Sequence, residues 1–272
     1  MFPEVFRIGG FFLPTYGLLV AIAFLTALWV IGRLAVKSGL SQESVLNLGI
    51  YVALAGIVGA KLLMIALDPA VRGEWREIFS LSTLQAAGIF YGGFVAALAV
   101  AFLYMWRKHL PALRTADVFA PGLALGHAIG RLGCFSAGCC WGVQTHLPWA
   151  VVFTSPRANE LVGVPLGVPL HPTQLYESAG ELIIFAALYW RFLRPHHEGS
   201  IVSLYLVLYG FLRFLVEFVR YHDPQSNPLA GPFSTEQWIS LGLISAGLAF
   251  WLFARNRQAI TVVTSSAAQP TS

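Results

Sequence analysis

Long apolar runs separated by short polar ones recur along the whole chain, at roughly 12–36, 45–67, 87–106, 116–136, 174–193, 200–219 and 236–254. Each run reaches, or nearly reaches, the about 20 residues that cross a bilayer as a helix. The pattern predicts an all-α, polytopic membrane bundle of about seven transmembrane helices. The fourth and sixth runs carry arginines near one end, Arg131 in one and Arg213 and Arg220 in the other. A charge at the bilayer centre costs about 2.5–3.5 kcal/mol on insertion scales, and such residues face the bundle interior or a wet cavity. The three arginines are therefore the first candidates for a functional site.

Composition agrees with the pattern. Of 272 residues, 57% are hydrophobic and 11% charged, and the mean hydropathy is +0.68. Soluble domains are about 25% charged, so a soluble globular reading fits poorly. The N-terminus lacks a basic n-region, its apolar run is long, and further runs follow, which argues against a cleaved signal peptide. Residues 1–258 read as one transmembrane domain, and 259–272 as a polar cytoplasmic tail expected to be disordered. The formal net charge is only +4 and the basic residues sit in loops, so no nucleic-acid partner is expected.

Lys and Arg in short loops mark the cytoplasmic side. Arg33 and Lys37 follow the first run, and Arg107, Lys108 and Arg114 follow the third. Arg191 and Arg194 follow the fifth, and Arg255 and Arg257 follow the last. The other side has only Arg7, Arg72, Arg76 and Arg157, with Asp68, Glu74, Glu77 and Glu160 nearby. This bias predicts an N-terminus outside and a C-terminus in the cytoplasm. Tyr16, Lys61, the run from Phe90 to Gly93, Arg131, the run from His171 to Glu177, and Arg213 with Arg220 then all fall towards the outer side. A site facing the outer leaflet follows.

Tyr209, Arg213, Glu217 and Arg220 follow one another at intervals of four, four and three, along one helical face. Glu217 can pair with either arginine, and a guanidinium suits a phosphate because it donates two parallel hydrogen bonds. The plainer reading is a helix end with snorkelling arginines and a structural ion pair; it has most weight for Arg220. His127 and Arg131 are also four apart, and Gly126, Gly130 and Gly133 let a helix or a lipid headgroup approach closely. His171-Pro172 opens a helix, since Pro suits the first turn, and Gln174, Glu177 and Glu181 follow on one face. Those carboxylates either pair with arginines across the bundle or act directly. Cys134, Cys139 and Cys140 have a C-x4-C-C spacing that matches no standard zinc pattern. No metal is expected there; buried free thiols or one oxidised pair are the readings.

At these residues the chain resembles the bacterial prolipoprotein diacylglyceryl transferases, along nearly its whole length. Gly130-Arg131-Leu132-Gly133 and the closing Gly142 keep the frame of that family's signature, while Cys134, Ala137 and Cys139 stand where the family has two Asn and a Glu. Tyr16-Gly17, the run from Pro148 to Phe153 and the run from His171 to Glu177 are similar to other family segments. So are Tyr209-Gly210, Arg213-Phe214, Glu217-Phe218, Arg220 and Asp223, and the order of all these segments agrees. The family's His-Gly-Gly at the start of the third span, whose His has been proposed as the base, is Tyr91-Gly92-Gly93 here. An unperturbed Tyr, with a pKa near 10, is a poor base at neutral pH.

The resemblance implies transfer of the diacylglyceryl group of phosphatidylglycerol to the lipobox cysteine thiol of a preprolipoprotein signal peptide. A thioether forms and glycerol phosphate is released, without a cofactor, in the bacterial cytoplasmic (inner) membrane. Its partners are then phosphatidylglycerol, that signal peptide and membrane lipids. On this reading Arg131 and Arg213 hold the phosphate and Glu217 orients Arg213. Tyr16, Tyr209 and His171 shape the site, and Gly92, Gly93, Gln174 and Arg220 also bind substrate. The base stays open among His171, His127 and Tyr91. Forming a thiolate from a thiol of pKa near 8.5 costs about 2 kcal/mol at pH 7, which a positive field can offset. Two alternatives stand beside this reading: a related lipid-phosphate transferase with another acceptor, and a non-catalytic lipid-binding or transport protein.

Overall fold

The computed structural model describes residues 4–8, 11–67, 88–222, 232–256 and 260–261. Eight helices lie among them: α1 (Thr15–Lys37), α2 (Gln42–Leu67), α3 (Phe90–Arg107), α4 (Ala112–Ala137), α5 (Pro156–Val162), α6 (Thr173–Phe192), α7 (Ser200–Glu217) and α8 (Thr235–Asn256). All but α5 correspond to the apolar runs. The short α5 has no such run; Ser155 starts it by accepting a hydrogen bond from the Ala158 amide at 3.3 Å, with Pro156 in its first turn. Three short antiparallel pairs complete the description: β1 (Glu4–Ile8) with β2 (Phe11–Pro14), β3 (Val151–Val152) with β4 (Pro169–Leu170), and β5 (His196–His197) with β6 (Ile260–Thr261). Arg72, Arg76, Asp223, Arg257 and most of the expected tail lie outside the described residues.

Six helices (α1, α2, α3, α4, α7 and α8) are long and apolar enough to cross a membrane, so this is a membrane protein. With 20 residues α6 is long enough too, but it carries Glu177, Glu181 and Arg191, which set its composition apart. Helix α4 packs against α1, α6 and α7, and α8 packs on α7; α2 and α3 pair with each other, α2 also touching α1. Val30 and Leu34 of α1, Val45 of α2, Val118 of α4, Leu188 and Phe192 of α6 and Ile201 of α7 form the main apolar core. These residues come from the ends of α1 and α6 and the starts of α2, α4 and α7. The core therefore fills one half of the bundle and leaves the other half to polar groups. Leu25, Trp29, Phe102, Trp106 and Ile183 point outward and are more than 60% exposed, as lipid-facing side chains of a spanning bundle are.

Polar contacts finish the core end. Asp117, buried within α4, accepts hydrogen bonds from the amides of Gly199 at 2.6 Å, Ile201 at 3.0 Å and Val202 at 2.8 Å. It thereby satisfies the orphan donors at the start of α7. Arg33 lies over Trp29 at 5.1 Å, Arg194 over Trp190 at 3.7 Å and Arg255 over Trp251 at 5.6 Å. All three pairs stand at the C-terminal ends of their helices, where amphipathic rings and basic heads meet an interface.

Candidate active site

The start of α1, the end of α4, the start of α6 and the end of α7 meet at the pole away from that core. Arg131 on α4 and Arg220, just beyond α7, converge on one carboxylate of α6. Arg131 Nη2 lies 2.5 Å from Glu177 Oε2, and Arg220 Nη1 donates to Glu177 Oε1 at 2.9 Å. The Glu177 side chain is only 2% exposed, and the two arginines are 13% and 16% exposed. Arg220 is thus turned inward, which is not the snorkelling arrangement. One turn deeper, Glu181 Oε1 lies 2.8 Å from His127 Nδ1, and His127 Nε2 accepts from Arg131 Nε at 3.2 Å. That pattern assigns the ring proton to Nδ1, towards Glu181, and the lone pair to Nε2, towards Arg131.

Arg213 pairs with Glu217 on the next turn of α7. Glu217 also accepts from Ser234 Oγ at 2.9 Å and lies 3.0 Å from His222 Nε2. Tyr209 links the two halves of the cluster. It interacts electrostatically with Arg213, Arg131, Glu177 and Glu181, and its ring centroid is 5.5 Å from that of His127. Tyr16 opens α1 beside Gly133, where an added Cβ would stand 3.2 Å from its ring. Gly126 is packed against α1 in the same way, but a Cβ on Gly130 would meet nothing within 4 Å. Gly130 therefore leaves open space one residue from Arg131.

The start of α6 is held by its neighbours. Gln174 Nε2 donates to the Cys139 carbonyl and Thr173 Oγ1 to the Cys140 carbonyl, each at 2.6 Å, and Ser178 Oγ donates to the Ala128 carbonyl at 2.9 Å. The fully buried Gln174 thus fixes the helix that carries Glu177. His171 Nδ1 lies 3.1 Å from the Tyr176 hydroxyl, which accepts from Trp149 Nε1 at 2.8 Å. Tyr91, Gly92 and Gly93 are not drawn into the arginine cluster. Tyr91 is 63% exposed, and the two glycines let α3 approach α2. A Cβ on Gly92 would stand 2.5 Å from the Gly59 carbonyl oxygen, and one on Gly93 2.6 Å from that of Gly56.

Cys134, Cys139 and Cys140 are free thiols whose sulfurs lie within 4.8 Å of one another. Cys134 Sγ is 4.0 Å from Arg131 Nη1. Hydrogen bonds from Cys134 and Cys139, helped by the Arg220 and Arg131 guanidiniums, hold the Cys140 thiol well below the usual thiol range. Its neighbours push Cys139 upward. A separate cavity of about 370 Å³, lined by Arg191, Ser203, Leu248 and Trp251 among others, opens at the opposite helix ends; its walls are mostly apolar.

Sequence reasoning leaves Glu177 and Glu181 either to pair with arginines across the bundle or to act directly; Glu177 pairs with Arg131 and Arg220, and Glu181 with His127. His127 and Arg131 are four apart on α4, and Glu177 and Glu181 are four apart on α6. Two antiparallel helices with matched intervals form a two-rung ladder, Arg131 on Glu177 and His127 on Glu181.

Comparison with known proteins matches residues 3–253 to the profile of the prolipoprotein diacylglyceryl transferase family. The chain is 34% identical over 249 residues to the phosphatidylglycerol–prolipoprotein diacylglyceryl transferase of Clostridium tetani, covering 91% of this chain and 96% of that one. Against the protein of the same name from Bordetella parapertussis it is 34% identical over 258 residues, covering 92% and 94%. Against that of Solidesulfovibrio magneticus it is 35% identical over 260 residues, covering 93% and 94%. With matches that run almost from end to end, this chain belongs to the prolipoprotein diacylglyceryl transferase family.

Proposed function

We propose that this enzyme transfers the diacylglyceryl group of phosphatidylglycerol to the lipobox cysteine thiol of a preprolipoprotein. The observation that carries the mechanism is the set of three guanidiniums, Arg131, Arg213 and Arg220, held by buried carboxylates at one pole of the bundle. The acceptor thiolate attacks the glycerol carbon, a C–S bond forms, and the C–O bond to the phosphate breaks. The departing glycerol phosphate takes a second negative charge. Arginines fixed in advance stabilise that charge more than they stabilise the diester, which is the requirement for lowering the barrier.

A facing carboxylate favours His127 as the group that takes the thiol proton. Its Nε2 accepts from Arg131 Nε in the resting site, so the proton enters there only as Arg131 turns to the lipid phosphate. The proton then adds a positive charge to the site at the step that gives the phosphate its second negative charge. The Glu181 carboxylate orients that imidazole. His171, facing Tyr176, and the exposed Tyr91 lack such a partner carboxylate.

Basic residues and Trp–Arg pairs at the far helix ends support a C-terminus in the cytoplasm and a site opening to the outer leaflet of the bacterial inner membrane. The test is transfer from phosphatidylglycerol to a lipobox peptide by purified protein. Arg131→Ala and Arg213→Ala are each expected to lower kcat by about 10²–10³, as loss of one fixed donor does. Turnover near wild type in both sinks the clamp assignment. His127→Ala is expected to lower kcat by about 10²–10⁴, the usual contribution of a general base, and turnover near wild type excludes it as base.

A further inference from the structure

Cys134, Cys139 and Cys140 have no part in the transfer just described, yet the fold brings them together. Their three sulfurs lie within 4.8 Å of one another, so a single ion can touch all of them. We propose that they form a three-thiolate site for a soft d10 cation, with Cu+ as the best match.

The ligand set argues for the ion. No His or carboxylate joins the sulfurs within that distance among the described residues. Soft thiolates suit Cu+, Zn2+ and iron–sulfur clusters alike; structural Zn2+ takes four protein ligands and an iron–sulfur cluster four cysteines, so a set of three points to Cu+. Formation is simple acid–base chemistry: each thiol ligand gives up its proton as its sulfur binds the cation, and no electron moves. Uptake therefore weakens as pH falls.

The backbone is organised for the purpose before any ion arrives. Gly138 ends α4 in the left-handed conformation. Cys140, at φ 62, adopts that conformation too, which is uncommon for a residue with a Cβ and typical of a ligand clamp. Gln174 and Thr173 tie down the Cys139 and Cys140 carbonyls, and the Gly142 amide donates to the His171 carbonyl at 2.9 Å. Arg131 Nη1 lies 4.0 Å from Cys134 Sγ, so a positive charge stands beside the cluster and offsets that of the bound thiolates. The three residues are only partly buried, so an ion has a way in.

The test uses the whole reduced protein in detergent without oxygen. Titration with Cu+ against a chromophoric chelator should show one ion retained per chain. Cys134→Ser, Cys139→Ser and Cys140→Ser should each weaken retention by about 100-fold, at least what loss of an outer-shell partner costs. X-ray absorption of the loaded wild-type protein, which needs no variant to fold, should show three sulfur neighbours. Retention unchanged in all three variants, or copper bound chiefly to nitrogen or oxygen, overturns the proposal. So does a reduced protein that retains no copper. None of these readouts uses lipid transfer, so their failure is distinct from failure of the transferase reading.

Discussion

Glu177 holds two guanidiniums on its two oxygens, and its near-complete burial makes it the residue on which the polar pole depends most. Glu177→Gln leaves Arg131 and Arg220 without their shared counter-charge. Breaking such a pair from one side costs about 3–5 kcal/mol, and a correspondingly lower midpoint of thermal unfolding in detergent is expected. A variant as stable as wild type contradicts this role. His196, between α6 and α7, offers a pH-dependent counterpart. Burial holds its imidazole below the usual range, while its hydrogen bond to the Arg194 carbonyl and the nearby Glu198 act the other way. The unfolded chain therefore binds that proton more readily, and stability falls as pH drops below about 6.5. His196→Asn should flatten that slope in unfolding scans, and an unchanged slope assigns it to other groups. The arginines were legible in the sequence because a charge in an apolar run stands out. Their partners were less so, since Glu177 faces Arg131 and Arg220 only once α4, α6 and α7 are neighbours.

At the level of elements, the apolar runs located the long helices to within a few residues, because span length and hydropathy are local properties. What they could not show is which glycines pack and which stay open. Gly92 sits where α3 meets the backbone of α2, so Gly92→Leu forces the two apart. A loss of about 1–3 kcal/mol, typical of overpacking, should appear in the same unfolding measurement. Gly130, with open space over it, behaves oppositely. Gly130→Ala should stabilise α4 by about 0.5–1 kcal/mol while raising KM for phosphatidylglycerol, if the lipid phosphate approaches Arg131 there. A Gly130→Ala enzyme with unaltered KM places the phosphate elsewhere. The Asp117 cap of α7 was also hidden from the sequence, where an Asp inside an apolar run gives no clue to the helix end it serves.

For the whole molecule, charge bias gives the orientation a direct test. Alkaline phosphatase fused after Lys108 should be inactive, and fused within residues 144–168 it should be active; the reverse pattern would invert the topology and turn the arginine pole to the cytoplasm. The gathering of the polar motifs at one end of the helices was legible once alternating helix directions were assigned; the apolar core at the other end was not, because it depends on which helices pack together. The shared carboxylate also constrains how the chain is made. Arg131 leaves the ribosome about 45 residues before Glu177, which at 5–20 residues per second is an interval of roughly 2–9 s. During that time α4 carries a charge whose partner does not yet exist. The nascent chain must keep the end of α4 in water, or within the insertion machinery, until α6 arrives, so helices four and six should enter the bilayer as a pair.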